Sequence, residues 1–157
     1  MADADLSLEA LAGQLPPKAA LMGLDLGTVT IGVAISDIGR RIASPLRTIT
    51  RTKFKADAKA LIGEAAAHNV AAFVLGLPLN MNGTEGPRAQ ATRAFARNLA
   101  TLTETPIVFW DERLSTSAVT RTLIEADTSR KRRDEVVDKM AAAYILQGAL
   151  DRLANIK

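Results

Sequence analysis

The chain has 157 residues, enough for one domain with its own core, and 48% of them are hydrophobic while only 4% are aromatic. The lack of cysteine excludes disulfides, thiolate metal sites and cysteine nucleophiles, and the single histidine, His68, nearly excludes imidazole zinc sites and Ser-His-Asp triads. Any chemistry must therefore come from carboxylates, hydroxyls, Lys or Arg, or a hard cation, and the net charge of +3 is compatible with an anionic partner.

Residues 1–20 are predicted to be an N-terminal extension, free to be flexible, ahead of one domain over residues 21–157. Within it, Leu8, Leu11 and Leu15 predict a short helix that the proline pair at 16–17 stops. No apolar run approaches the length of a membrane span, and the acidic N-terminus lacks a signal-peptide pattern. We therefore expect a cytoplasmic protein with no membrane partner.

Asp25 stands in a run, residues 21–27, that is otherwise apolar or glycine. A lone carboxylate in a strand predicted to be buried on both faces is costly unless something pairs with it. A turn over residues 28–30 and a returning strand over 31–35 predict a hairpin that holds this acid rigidly, as suits a metal ligand or an acid at a phosphate site. The alternative, an aspartate satisfied by backbone N–H groups in a turn, is weaker because the turn residues come after Gly27.

The remaining pattern predicts an α/β fold. After the hairpin we expect a strand over residues 41–50, a helix over 53–68, an interior strand over 71–77, a helix carrying Phe95 and Leu99, and a strand over 106–110. A short helix over 115–126, a basic loop over 128–133 and a helix over 134–153 follow. A three-strand antiparallel meander followed by parallel strands gives a mixed five-stranded sheet with helices on both faces.

Two further acidic positions are candidates to join Asp25. Asp138 heads a helix face of small and apolar residues that continues through Ala142 and Ile145, so it is expected to face the sheet. Asp111 and Glu112 end the last strand, and strand alternation lets only one of them point the same way as Asp25. Both faces are apolar, so periodicity does not decide between them. The longer reach of Glu112 favours it as the ligand, whereas Asp111 suits capping or orienting Arg113.

Three carboxylates from two strands and a helix have the composition of a two-metal nuclease site. Mg²⁺ and Mn²⁺ take oxygen ligands, and two such ions can activate a water and stabilise the leaving oxygen of a phosphodiester. Nucleic-acid contacts are predicted from Arg113 and from the basic run 130–133, whose alternative is a solvated loop. Asn80 and Asn82 could approach a phosphate backbone or serve simple turn chemistry. The basic run consists of Arg130, Lys131, Arg132 and Arg133.

These residues closely resemble the YqgF family, also called RuvX, which comprises Holliday-junction-resolvase-like nucleases. The resemblance lies in four blocks that span residues 21–151: residues 23–27 with 31–37, residues 76–79 with 82–83, residues 111–116, and residues 138–142 with 145–146.

The resemblance implies a ribonuclease H-like fold and a cytoplasmic, Mg²⁺- or Mn²⁺-dependent nuclease that processes the 5′ end of pre-16S rRNA, as a monomer or weak homodimer. By motif position, Asp25 and Asp138 would be metal ligands, with Glu112 or Asp111 completing the catalytic set. Resolution of four-way DNA junctions is the alternative substrate, and a non-catalytic RNA-binding module is the alternative class. Residues 25–28 also resemble the first phosphate loop of the actin–Hsp70–sugar kinase superfamily, but the chain has the length for only one of the two domains such ATPases need.

Overall fold

The computed structural model describes residues 2, 4, 6–114 and 130–156, except for the side chains of residues 130–138. Its elements begin with α1 (Leu8–Ala12), β1 (Ala20–Leu26), β2 (Thr30–Ser36), β3 (Ala43–Thr50) and α2 (Phe54–Ala67). They continue with β4 (Val70–Leu77), α3 (Pro87–Ala100), β5 (Ile107–Asp111), a 3₁₀ turn (Glu112–Leu114) and α4 (Arg130–Ala154). Among the described residues, no helix combines the length and the apolarity needed to cross a bilayer.

The five strands form one mixed sheet in the order β3-β2-β1-β4-β5. The β1–β2 and β2–β3 pairs are antiparallel, because short turns join consecutive strands. The β1–β4 and β4–β5 pairs are parallel, because α2 and α3 carry the chain back between them. The mixed five-stranded sheet predicted from the sequence is therefore confirmed.

Apolar side chains cover both faces of the sheet, as the nearly continuous apolar runs of β1 and β4 require. Met22 and Leu24 of β1 belong to one buried cluster, which includes residues of α2 and α3. Leu21 of β1 belongs to the other cluster, which includes residues of α1 and α4. Side chains alternate along a strand, so Gly23 and Asp25 share the α4 face with Leu21.

The described part of the predicted N-terminal extension packs against this domain. The α1 helix begins after Ser7, whose hydroxyl caps it by accepting from the Ala10 amide at 3.1 Å. Leu11 of α1 is fully buried in the α4-side cluster, and Leu6 forms an isolated parallel bridge with Val108 of β5. The division of the chain at residue 20 stays a prediction.

The last helix begins earlier than predicted. Residues 130–133 were expected in a loop, but α4 already includes them, so that part of the prediction is wrong. Arg and Lys have helix propensities close to that of Ala, and no Gly or Pro separates the basic run from the helix that follows. The helix predicted over residues 115–126 lies outside the described residues.

Helix α4 approaches the sheet closely where β1 and β4 have glycine. A Cβ placed on Gly23 would lie 2.7 Å from Leu146 Cβ and 2.8 Å from the Ala142 carbonyl oxygen. Farther along α4, the Gln147 amide accepts from Ala43 N and donates to Arg41 O, each at 2.9 Å, which fastens the helix to the start of β3. These contacts fix both the height and the direction of α4 over the sheet.

Replacing Gly23 by alanine should destabilise the fold by about 1–3 kcal/mol, because the added methyl group meets a helix backbone that cannot move aside cheaply. The matched control is Gly63→Ala in α2, where an added Cβ has no neighbour within 4 Å. That change should stabilise by up to about 1 kcal/mol through helix propensity. Urea unfolding of both variants measures the difference, and equal stability of Gly23→Ala and wild type would contradict this packing argument.

Candidate active site

Asp25 lies near the carboxyl end of β1, on the face that α4 covers. It pairs with Gly32 of β2 in the antiparallel register, and its side chain is half-buried in a strand whose other residues are buried. The β1–β4 register matches Gly23 with Val74 and Leu24 with Leu75. Continued by one residue, it places Asp25 beside Gly76, about 4.8 Å away in the direction of the hydrogen bonds.

Glu112 reaches the same place from β5. It is the first residue of the 3₁₀ turn that follows the strand, and its side chain lies over Gly76 on the α4 face. A Cβ placed on Gly76 would lie 3.1 Å from both Cγ and Cδ of Glu112, and 2.5 Å from Ile145 Cδ1 of α4. Gly76 thus leaves the space that Glu112 occupies, and the continued register places Asp25 on the neighbouring strand beside the same glycine.

Asp111 is engaged elsewhere. Its carboxylate accepts from Arg113 Nη2 at 2.7 Å, from Arg113 Nε at 3.1 Å and from the Arg113 amide at 3.0 Å. The Arg113 side chain holds the pKa of Asp111 below its usual value, against the opposing effect of burial. Asp111 in turn raises the pKa of Arg113. The pair therefore stays charged, as an anion bound by its own cation.

Arg113 also fastens the loop between β4 and α3. Its Nη1 donates to the Met81 carbonyl oxygen at 3.2 Å, and the guanidinium lies beside Gly83, which has a φ of 86°. Asn80 and Asn82 close this loop internally: Asn80 Nδ2 donates to Thr84 Oγ1 at 3.0 Å, and Asn82 Oδ1 accepts from the same hydroxyl at 2.6 Å. Both amides thus perform turn chemistry, and their phosphate contact stays a prediction.

The third predicted acid, Asp138, belongs to α4 one turn before Ala142, and its side chain lies outside the described residues. The helix contacts the start of β3 through Gln147 and Gly23 through Ala142, so the turn before Ala142 leads towards the Asp25 end of β1. Among the described side chains, no group of three His, Asp or Glu residues could hold a metal ion. The side chains of Arg130, Lys131, Arg132 and Arg133 also lie outside the described residues.

The sequence reasoning did not single out Arg51 and Arg88. Arg51 Nη1 donates to the Gly27 carbonyl oxygen, and Arg88 Nη2 donates to the Leu26 carbonyl oxygen at 2.6 Å. Both arginines therefore hold the backbone that follows Asp25 through hydrogen bonds. No local sequence motif predicts these two residues, because each donates to a backbone carbonyl oxygen far away in the sequence.

Comparison with known proteins decides the family. The chain matches the family described as RuvX, Holliday junction resolvase, over residues 19–152. The chain belongs to the RuvX family. A relative from Ruegeria pomeroyi is 62% identical over 150 residues, which cover 96% of this chain and 97% of the relative. One from Methylocella silvestris is 58% identical over 157 residues, which cover 100% of this chain and 98% of the relative. Each carries the name "Putative pre-16S rRNA nuclease".

Solved structures confirm the predicted fold of this RuvX family member. RuvC from T. thermophilus, solved in complex with a Holliday junction substrate, superposes with a TM-score of 0.53 at 10% sequence identity, over 88% of this chain and 98% of that one. Another Thermus thermophilus RuvC structure gives a TM-score of 0.52. At such low identity the likeness concerns the fold alone, and that fold is the ribonuclease H-like sheet.

The Asp111–Arg113 pair should stabilise the folded protein in a pH-dependent way. The native pKa of Asp111 lies below its ordinary value of 3.8, so its contribution is complete above that value and is lost as the pH falls through the native pKa. Asp111→Asn should therefore be less stable than wild type at pH 7, with a gap that narrows below about pH 4. Urea unfolding over this pH range measures the gap.

Arg113→Gln is the reciprocal control. It should lose stability as Asp111→Asn does, and the double variant should lose less than the sum of the two, since both changes remove one interaction. Additive losses, or an Asp111→Asn variant as stable as wild type at pH 7, would show that the pair does not hold the loop.

Proposed function

We propose that this RuvX family member is a metal-dependent, cytoplasmic nuclease that hydrolyses phosphodiester bonds in the 5′-end processing of pre-16S rRNA. The observation that carries the proposal is the position of the Glu112 side chain over Gly76, next to the strand position of Asp25, on the sheet face that α4 covers. Membership of the RuvX family and the shared name of relatives about 60% identical over nearly the whole chain support the substrate class.

The donor set around Gly76 fits Mg²⁺ or Mn²⁺. Carboxylate oxygens are the ligands these hard cations prefer, and the missing side chain at Gly76 gives the Glu112 side chain room beside the strand position of Asp25. In the proposal, Asp25, Glu112 and Asp138 hold the metal, with Asp138 supplied by α4. Bound there, a metal pair would lower the pKa of a water and stabilise the leaving oxygen of the phosphodiester.

The residues of the chain itself have separate tasks in this proposal. Asp25 is held in place by its pairing with β2 in mid-sheet, whereas Glu112 hangs from a short turn and has one more rotatable bond. Asp111 acts as a positioning residue: by holding Arg113 against the Met81 carbonyl, it fixes the loop beside the site. Arg113, Asn80 and Asn82 would offer their remaining donors to the phosphate backbone of the substrate.

Neutralising a proposed ligand should abolish cleavage without unfolding the protein. Asp25→Asn and Glu112→Gln are nearly isosteric changes that remove metal affinity, so both should lose Mg²⁺- or Mn²⁺-dependent cleavage of labelled pre-16S rRNA while keeping their metal-free melting temperature. Asp111→Asn is the matched control, which should lose stability before activity. If Glu112→Gln cleaves normally while Asp111→Asn is folded and inactive, the assignment of the two acids is reversed.

The second candidate substrate is a four-way DNA junction, favoured by the description of the matched family as a Holliday junction resolvase. The same preparation is tested on precursor rRNA and on branched DNA, with Mg²⁺, Mn²⁺ or EDTA. If the protein cleaves RNA but not the junction, the result supports the proposal. If it cleaves the junction but not RNA, the proposed substrate is wrong. Binding of RNA without any metal-dependent cleavage would identify a non-catalytic module instead.

The basic run 130–133 is proposed to contact substrate phosphate, since it opens the helix that carries Asp138. Replacing Arg130, Lys131, Arg132 and Arg133 together by glutamine should flatten the dependence of log affinity on log salt by about 0.7 for each lost single-strand contact. The measurement is binding of RNA in EDTA over a range of KCl concentrations. An unchanged slope would assign the run to solvent.

A further inference from the structure

A concave notch opens at the end of β1, two residues beyond Asp25. It has a volume of about 70 Å³, well above the roughly 10–15 Å³ of such space that one water requires. Its walls come from the turn after β1, the residue after β3 and one side of α3. The lining residues are Leu26, Gly27, Thr28, Arg51, Arg88, Ala91, Thr92 and Phe95.

Two arginines on the notch are held in fixed positions. Arg51 donates from its amide to Val29 O at 2.8 Å and from its side chain to Gly27 O. Its guanidinium carbon also lies 5.7 Å from the centre of the Phe95 ring, within the range of a cation–π contact. Arg88, in the first turn of α3, donates to Leu26 O at 2.6 Å. The cations are thus fixed before any ligand arrives.

Ion pairs distinguish these two arginines from others in the described part of the chain. Arg47, Arg93 and Arg113 form ion pairs with Glu64, Glu85 and Asp111. Within the part of the chain that the structure describes, no carboxylate lies at ion-pair distance from Arg51 or Arg88. Each guanidinium has five N–H donors, and one side-chain bond to a turn carbonyl leaves donors to spare on both. Two cations beside one cavity, with no carboxylate partner among the described residues, favour an anionic ligand.

We propose that Arg51 and Arg88 form a binding site for a phosphate group of the nucleic-acid strand on which the enzyme acts. The inference rests on the proposed nuclease function, since it names a second contact for the same substrate. The notch lies on the α3 face of the sheet and the acids on the α4 face, but both lie at the carboxyl end of β1, so a nucleic-acid strand that crosses this rim would reach both. A planar guanidinium that is already oriented is well suited to phosphate oxygens.

A role confined to supporting the turn makes a different prediction from a phosphate site. If the two arginines only hold the turn, they need the two observed hydrogen bonds to its carbonyl oxygens, and they do not affect how RNA affinity depends on salt. A phosphate contact releases counterions, so the dependence of affinity on salt reports it directly. The matched control is Arg97, which lies exposed in the last turn of the same helix, α3, and does not line the notch.

The test is fluorescence anisotropy of a labelled single-stranded RNA in EDTA, titrated at several KCl concentrations. Arg51→Gln and Arg88→Gln should each flatten the slope of log affinity against log salt by about 0.7, and the double variant by about 1.4. Arg97→Gln should leave the slope unchanged, and Arg88→Lys, which keeps the charge, should restore most of it. Slopes for both glutamine variants that match Arg97→Gln would overturn the proposal.

Folding and catalysis are controlled separately. If Arg51→Gln fails to fold because Gly27 O loses its donor, Arg88→Gln, whose side chain is exposed, decides the question by itself. Since EDTA prevents metal-dependent cleavage, the two proposals can fail independently. If the variants flatten the slope but the protein never cleaves RNA, the phosphate site at the notch is supported and the nuclease function is overturned. Cleavage that depends on Asp25, together with unchanged slopes, supports the nuclease and overturns the notch.

Discussion

The close approach of α4 to the sheet at two glycines is the constraint on which the candidate site depends. Gly23 admits the backbone of α4, because a side chain there would collide with Leu146 and the Ala142 carbonyl, and Gly76 admits both Ile145 and Glu112. A glycine inside a strand costs roughly 0.5–1 kcal/mol relative to alanine through chain entropy. The burial of the α4 face, with Ile145 and Leu146 fully covered, offsets that cost. With larger residues at both positions, the helix would stand off the sheet and Glu112 would lose its place over β4.

The same geometry explains why chemistry falls at this edge. Strand β1 is the point at which the sheet changes character, with an antiparallel neighbour on one side and a parallel neighbour on the other. The carboxyl ends of β1, β4 and β5 therefore meet, and three loops leave from one rim, as α/β sheets do at their ligand sites. The loop after β1 is held by Arg51 and Arg88, the loop after β4 contains Met81, and the loop after β5 begins with Glu112. The parts of the site are thus held together by strand order and need no long loop.

Much of this architecture can be predicted from the sequence. The features that cannot be predicted depend on tertiary contacts between residues far apart in the chain. Strand runs, their order and the isolation of Asp25 are local patterns, so the mixed sheet and the family were predictable. The choice between Asp111 and Glu112 was left to side-chain reach, because the feature that separates them in space is the missing side chain of Gly76 on a neighbouring strand. Arg51 and Arg88 left no signal, since their partners are carbonyl oxygens 24 and 62 positions away. The basic run was wrongly predicted as a loop, although the helix propensities of Arg and Lys favour the observed helix.

Asp111 and Glu112 are adjacent in the sequence, but their side chains lie in different surroundings. A carboxylate that accepts from three N–H donors of Arg113 would have to give up that cation before it could bind a metal. The loop at Met81 would then lose the hydrogen bond from Arg113 that holds it. The downward shift in the pKa of Asp111 reflects how strongly its anionic form is already satisfied. Glu112, by contrast, has its side chain over Gly76, on the sheet face of Asp25. In the proposed mechanism Arg113 thus keeps Asp111 from binding the metal, and Glu112 is the proposed ligand.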